Sequence, residues 1–245
     1  MKLSVYDKEI IVYNISFLCI DKDYRNHNLA EIMFKEMFRR TYMENVYQNI
    51  FVFKRLILKP FAESTYYYVI FDNSQLSEKK EKTTAKFRPM EKKDIKDVTK
   101  LLNKKKYKIH SIFSEEELEH WFIPIKNVFY SFVKEDNNGK ITDFTSFYKI
   151  DANFNNNDEN WSYIYFSIAT SMSSKELIRN ALILSKQNGM DCYICNIIMD
   201  YEKICKELNF QSNIEDENSY DSLKYYFNNF ICPETESSDM SLILI

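Results

Sequence analysis

The spacing of apolar and polar positions changes several times along the chain, and each change marks an element. Residues 2–6 and 9–20 carry β-branched and large apolar side chains on either side of Asp7-Lys8, which predicts two strands in a hairpin. Asn28-x-x-Glu31 has the form of a capping box with Asn28 as N-cap. Behind it Leu29, Met33 and Met37, and Ala30, Phe34 and Phe38, recur every fourth residue and predict a helix over 29–44. Gln48–Leu58 reads as a strand stopped by Lys59-Pro60, and residues 61–70 are compatible with a helix. The run 73–85 is polar, with Lys79-Lys80 and Lys82, and reads as a linker.

A second series begins at Phe87-Arg88-Pro89-Met90. Ile95, Val98, Leu101 and Leu102 give an amphipathic helix within 91–105, and Ser114-x-x-Glu117 caps another carrying Leu118, Trp121 and Phe122. Strands at 127–135 and 140–149 flank the turn Asn137-Asn138-Gly139, and a further strand covers about 161–168. Ser173-x-x-Glu176 caps a helix with Leu177, Ile178, Ala181, Leu182 and Leu184 inward and Gly189 just past its end. A buried strand at 192–198, a short helix at 200–208 and strands at 222–231 and 240–245 complete the pattern. Two successive blocks of strand, helix and strand argue for a mixed α/β fold.

Composition removes several function classes. With 245 residues, 45% of them hydrophobic, the chain can bury a sizeable core. A net charge of −3 provides no field for nucleic acid. Gly139 and Gly189 are the only glycines, which excludes a P-loop or a dinucleotide fingerprint. Five scattered cysteines suit a reducing compartment, and Cys192-x-x-Cys195 lacks the second pair or histidines of a zinc site. His27, His110 and His120 do not cluster, and no Ser/His/Asp or Cys/His arrangement is readable. Early charges argue against a signal peptide, and no run approaches the ~20 apolar residues of a membrane span.

Several short motifs share one family resemblance. They are Ile15-Ser16-Phe17-Leu18-Cys19-Ile20 with Arg25–Ala30, Phe87-Arg88-Pro89-Met90, Glu119-His120-Trp121-Phe122, Thr142-Asp143-Phe144 with Ser146-Phe147-Tyr148, Lys224-Tyr225-Tyr226, Cys232-Pro233 and the terminal Leu242-Ile243-Leu244-Ile245. In this order they resemble the N-myristoyltransferases of the GNAT superfamily over nearly the whole chain. The resemblance implies a GNAT-like acyltransferase fold of one incomplete and one complete unit related by pseudo-twofold symmetry. It divides the chain into a partial N-terminal unit, 1–82, carrying the acyl-CoA segment, and a C-terminal unit, 83–245, with the peptide side. The family's upstream region has no counterpart here.

The implied reaction moves myristate from myristoyl-CoA, a co-substrate, to an N-terminal glycine, in the cytoplasm and with no metal or other cofactor. Its implied partners are acyl-CoA and N-terminal-glycine peptides or proteins, with no nucleic acid and no transmembrane segment. Attack of an amine on a thioester builds an oxyanion, which backbone N–H groups stabilise; the resemblance assigns these to Phe17 and Leu18. It assigns acyl-CoA contacts to Cys19, Ile20, Arg25, Asn26, His27, Asn28, Leu29 and Ala30, and peptide contacts to Tyr68, Phe147, Tyr148 and Tyr225. The base is the C-terminal carboxylate of Ile245. A carboxyl near pKa 3.5 and an amine near 8 are mismatched by about 6 kcal/mol, and burial in an apolar strand narrows that gap. The chain departs from the family at Val52, Tyr68, Ala169 and Ile194, where polar peptide contacts are expected, at the acidic run Glu215-Asp216-Glu217, and at Asp21 and Asp23, where the family is basic. These departures leave a second reading open: a non-catalytic protein of the same fold that binds acyl-CoA or a peptide or protein partner.

Overall fold

A computed structural model describes residues 1–16, 18–54, 58–71, 82–104, 107–154, 156–212 and 222–244. The fold is mixed α/β. The first strands are β1 (Lys2–Val5), β2 (Lys8–Ile11) and β3 (Tyr13–Ile15). The hairpin about Asp7 forms, with Tyr6 and Asp7 both at positive φ. The single strand expected over 9–20 is instead two: β2 pairs with β1, while β3 leaves for another sheet. Helix α1 (Leu29–Met43) follows, then β4 (Asn49–Phe53), which lies parallel to β3. Next come β5 (Ala62–Ser64) and β6 (Tyr66–Ile70). The helix considered for 61–70 is therefore a correction. Tyr66-Tyr67-Tyr68-Val69-Ile70 is all aromatic and β-branched, residue types that fit a half-buried pleat. The linker reading of 73–85 falls mostly outside the described residues; Thr84, within them, donates its N–H to Asn180 Oδ1 at 2.8 Å.

The second half opens with β7 (Arg88–Pro89), α2 (Ile95–Leu102) and β8 (Ile109–Ile112). Arg88 reaches the buried Asp94 at 2.6 Å, and Asp94 in turn accepts the Glu91 N–H at 2.8 Å. Helix α3 (Glu115–Phe122) starts in the anticipated capping box of Ser114 and Glu117. Strands β9 (Phe129–Glu135) and β10 (Ile141–Phe154) form the expected hairpin, with Gly139 at φ +77. Strand β11 (Asn157–Ile168), α4 (Ser174–Gln187) and β12 (Cys192–Asn196) make a second strand–helix–strand unit, with β12 parallel to β11. Helix α5 (Tyr201–Glu207), β13 (Gln211–Ser212), β14 (Leu223–Asn228) and β15 (Met240–Ser241) close the chain. The strand read over 240–245 is only two residues of ladder, because the one neighbour it finds is β8; Leu242 and Ile243 continue it as buried chain.

Among the described residues three sheets form, in the orders β15-β8-β1-β2, β13-β6-β12-β11-β10-β9-β7 and β3-β4-β14-β5. All three mix strands from before and after residue 82. β6 pairs antiparallel with β12, and β14 inserts between β4 and β5. One apolar core runs through the molecule, from Leu3 and Ile50 to Phe144, Tyr193 and Leu242.

Candidate functional site

Two strand–helix–strand units, β3–α1–β4 and β11–α4–β12, each pair their strands in parallel, and each presents a helix N-terminus beside a loop. At the first, Leu18 is half-buried, Cys19 exposed and Ile20 half-buried. Asp21 Oδ1 accepts the Asp23 N–H at 3.0 Å and starts a turn of 3-10 helix over Lys22–Tyr24. Arg25 Nε donates to Ile20 O at 3.1 Å, and His27 Nδ1 lies 3.0 Å from Arg25 O. Residues 25–28 are exposed. Asn26 and Asn28 sit at φ 67 and 56, left-handed conformations that asparagine tolerates.

The Asn28 cap is a correction. Its side chain makes no bond to the first turn of α1, and Glu31 pairs with Lys35. An N-cap oxygen reaches back to the helix only from extended backbone, and the left-handed turn removes that geometry. The first-turn N–H groups of α1 are thus left without a side-chain cap, which is the arrangement that receives an anion. Leu29 and Ala30 begin this turn, both half-buried. Phe34 packs on Phe51 and Phe53 at 6.1 Å, while Ile32 and Met33 remain exposed. Phe17 lies outside the described residues.

The second region is a face of the seven-stranded sheet. Register places Tyr148 opposite Tyr163, Tyr163 opposite Ile194, Ile194 opposite Tyr68, and Asn196 opposite Tyr66. Residues paired in this way project to the same side. Tyr148 stacks on Tyr163 at 5.4 Å, and Tyr66 meets Tyr163 edge-on at 5.9 Å. Burial, with neighbouring hydroxyls second, raises the phenols of Tyr66 and Tyr148 well above their ordinary range. Tyr66 and Tyr148 therefore serve as neutral hydrogen-bonding groups. Tyr225 comes from the other sheet, opposite Val52 and Ala62, and is fully enclosed.

Of the four tyrosine and phenylalanine positions expected to touch peptide, Tyr68 and Tyr148 share this face, and the hydroxyl of Tyr225 accepts from Asn196 Nδ2 on it at 2.9 Å. Phe147 projects from the opposite face, wholly buried and stacked on Tyr130 at 5.1 Å. Sequence reasoning missed Tyr66, Tyr163 and the buried Asn196, whose Oδ1 accepts from Ser64 Oγ at 2.6 Å. Alternation along β6 and β11 is the signal that indicates the two tyrosines, and a helical reading of 61–70 makes no use of it.

The C-terminal stretch lies beside β8. Leu242 is 0% and Ile243 7% exposed, while Ile245 is outside the described residues. A cavity of about 250 Å³ opens where β11 and β12 diverge, lined by Ser167, Ala169, Thr170, Ser174, Met199 and Tyr201 among others. Ala169, where the family has a polar peptide contact, lines it, whereas Tyr68, Phe147, Tyr148 and Tyr225 do not. Its loop is tied down by Asp143, fully buried, which accepts the Thr170 and Ser171 N–H groups at 2.8 and 3.0 Å. Among the described residues no group of three or more His, Cys, Asp or Glu could hold a metal ion. Burial pushes the Cys192 thiol up to about 12 and Cys195 well above its ordinary range, so both are inert thiols at neutral pH. Among the described residues no helix is long and apolar enough to cross a membrane.

Comparison with known proteins adds the following. Residues 1–64 match the model of the myristoyl-CoA:protein N-myristoyltransferase N-terminal domain, and 65–242 that of the C-terminal domain. The chain is 30% identical over 267 residues to glycylpeptide N-tetradecanoyltransferase of Plasmodium falciparum, which covers 98% of this chain and 63% of that protein. It is 32% identical over 268 residues to a probable glycylpeptide N-tetradecanoyltransferase of Caenorhabditis elegans, covering 98% and 58%. The crystal structure of Saccharomyces cerevisiae N-myristoyltransferase with bound myristoyl-CoA superposes with a TM-score of 0.84 at 24% identity, covering 96% of this chain and 66% of that one. The chain thus spans about three-fifths of the curated relatives it matches.

Proposed function

Because the chain belongs to the myristoyl-CoA:protein N-myristoyltransferase family, we propose that it transfers a myristoyl group from myristoyl-CoA to the N-terminal glycine of a peptide or protein. The observation that carries this reading is the N-terminus of α1, without a side-chain cap and entered from the exposed loop 21–28 that follows the Phe17-Leu18-Cys19 segment. Backbone N–H groups there suit the phosphates of a CoA thioester. Arg25, Asn26, His27, Asn28, Leu29 and Ala30 hold the nucleotide end, and Cys19 and Ile20 the start of the acyl arm. Residues 1–82 supply this side and 83–245 the peptide side, with β6 and β14 reaching across.

The amides of Phe17 and Leu18 stabilise the oxyanion that forms when the glycine amine attacks the thioester carbonyl. The Ile245 carboxylate accepts the proton that the amine gives up; Leu242 and Ile243, both buried, provide apolar surroundings that raise a carboxyl pKa toward that of the amine. The C–S bond breaks and CoA leaves as the thiol. The acceptor runs along Tyr68, Tyr148 and Tyr225, with Phe147 supporting Tyr148 from the sheet's other face. The cytoplasm is the proposed compartment, in keeping with five free cysteines.

Myristoyl-CoA should raise the melting temperature of the purified protein. Incubation with a glycine-initiated peptide should then release CoA thiol, while an alanine-initiated peptide should not. Binding without thiol release would instead support the non-catalytic reading, to which the apolar Val52 and Ile194 lend weight. No thermal shift at all would sink the acyl-transfer reading and leave only a non-catalytic protein that binds a peptide or protein partner.

A further inference from the structure

The cavity at the parting of β11 and β12 takes no part in the reaction proposed above. Those strands pair only from Trp161 to Tyr163 on one side and from Cys192 to Ile194 on the other. Beyond that their ends separate, and α4, α5 and the segment after α2 wall a space of about 250 Å³. Its buried lining includes Leu177, Ile178 and Met199, an apolar surface. Ala169 adds only a methyl group where the family carries a polar side chain, so part of the space comes from this chain's own departure. Met199 is held at φ 55, and its N–H donates to Ser237 O at 3.0 Å. Apart from Tyr6 in the first hairpin, the other non-glycine residues at positive φ among the described residues are all Asn or Asp. Left-handed backbone is costly for a residue of methionine's type, and strain that persists in a folded chain concentrates at sites of use.

The polar groups around this space say what it suits. Tyr201 is 2% exposed, and its hydroxyl has only the carbonyl of Ser167 to donate to, at 3.5 Å, the outer limit of a hydrogen bond. Lys104 and Asp200 are exposed lining residues from different elements, and among the described residues neither has an ion-pair partner. A lone anion would meet Asp200, beside a helix that Ser173 already caps and a loop whose amides Asp143 already takes. A lone cation would meet Lys104. A small zwitterion meets neither objection: its carboxylate suits Lys104, its ammonium suits Asp200, and an apolar side group suits the buried lining. The volume is room for about eight waters, which matches a molecule of leucine's size. We propose that this cavity binds a free α-amino acid with an apolar side chain. The site shares no residue with the acyl-CoA and peptide contacts assigned above and does not rest on the acyl-transfer reading.

Calorimetry of the full chain with free L-leucine should show a single site. Glycine, which lacks the apolar group, should bind about tenfold more weakly or worse. Isopentylamine and 4-methylpentanoate keep the side chain and one charge each, and each should bind about threefold more weakly than leucine. Lys104→Gln should weaken leucine and 4-methylpentanoate about threefold and leave isopentylamine no weaker. Asp200→Asn should do the reverse, and Asp200 makes no side-chain cap bond to α5, so the change spares that helix. Both substitutions are on exposed side chains, which keeps the folded protein available for the measurement. A saturating glycine-initiated peptide should not displace leucine. Absence of leucine binding, or leucine binding that neither substitution alters, would overturn the inference. Displacement by the peptide would make the cavity part of the acceptor path and overturn it as a separate site.

Discussion

The loop entering α1 and the loop entering α4 occupy the same place in their strand–helix–strand units, and they differ in where negative charge comes from. Before α4, Ser173 Oγ caps the helix by accepting the Glu176 N–H at 3.2 Å. The buried Asp143 takes the Thr170 and Ser171 N–H groups and the Ser171 hydroxyl, and Lys134 balances it at 3.3 Å. Before α1, Asn28 turns left-handed, its side chain caps nothing, and 25–28 is exposed. The same backbone logic is thus closed internally in one unit and left open to an outside anion in the other. A helix N-terminus alone does not make a binding site; what matters is whether the protein has already filled it.

The largest effect asks whether the open junction belongs to a working enzyme. Appending residues after Ile245 replaces its carboxylate with a neutral amide and should lower kcat by about 100-fold or more, with the acyl-CoA thermal shift intact. Full activity in the extended form would remove the proposed base. Ile245→Leu should change little, since the group at issue is backbone.

Next in size is the closed junction. Asp143→Asn leaves Lys134 without its buried partner and should cost about 3 kcal/mol, read as a lower denaturant midpoint. Burial pushes the Asp143 carboxyl up, but hydrogen bonds from Ser171, Thr142 and Thr170 outweigh it and hold it below the usual carboxylate range. Its contribution is therefore complete above the unfolded carboxyl pKa of about 4 and is lost as pH falls below that. Wild type should lose stability down that limb more steeply than the variant; equal slopes would contradict the assignment.

At the open junction, Asn28→Val puts a β-branched residue at φ 56. The strain of about 1–2 kcal/mol should displace the loop and weaken myristoyl-CoA binding about tenfold, whereas Asn28→Gly should bind normally. Equal affinity in the valine variant would mean the left-handed turn is incidental. The smallest effect is Asp23→Lys, which should tighten binding two- to threefold at low salt, fading at high salt. Asp21 is the poorer place for that change, because its carboxylate caps the turn over Lys22–Tyr24. Unchanged affinity in Asp23→Lys would argue that this face does not carry the CoA phosphates.

Much of the closed junction is legible in the sequence. Ser173-x-x-Glu176 and Ser114-x-x-Glu117 announce helices α4 and α3 because both partners lie within four residues. Asn28-x-x-Glu31 has the same spelling and forms no box, since the left-handed turn overrides it; a local motif cannot report its own backbone angles. The hydrogen-bonded cluster of Ser64, Asn196 and Tyr225 is illegible for a different reason. These are ordinary residues whose meaning comes from strands far apart in sequence, and a helical reading of 61–70 hides the face on which they meet. The proposed acyl-CoA segment is legible through resemblance alone, because backbone donors carry no signature in side-chain identity.

The insertion of β14 between β4 and β5 has a consequence for the order of events during synthesis. When β4 and β5 leave the ribosome, the strand that joins them, Leu223–Asn228, has not been made. β6 likewise waits for Cys192–Asn196. At about 5–20 residues per second, open strand edges persist for many seconds on the nascent chain. The early part of this chain cannot finish folding as an independent module, so its yield in the cell should depend on chaperones that shield those edges until translation nears its end.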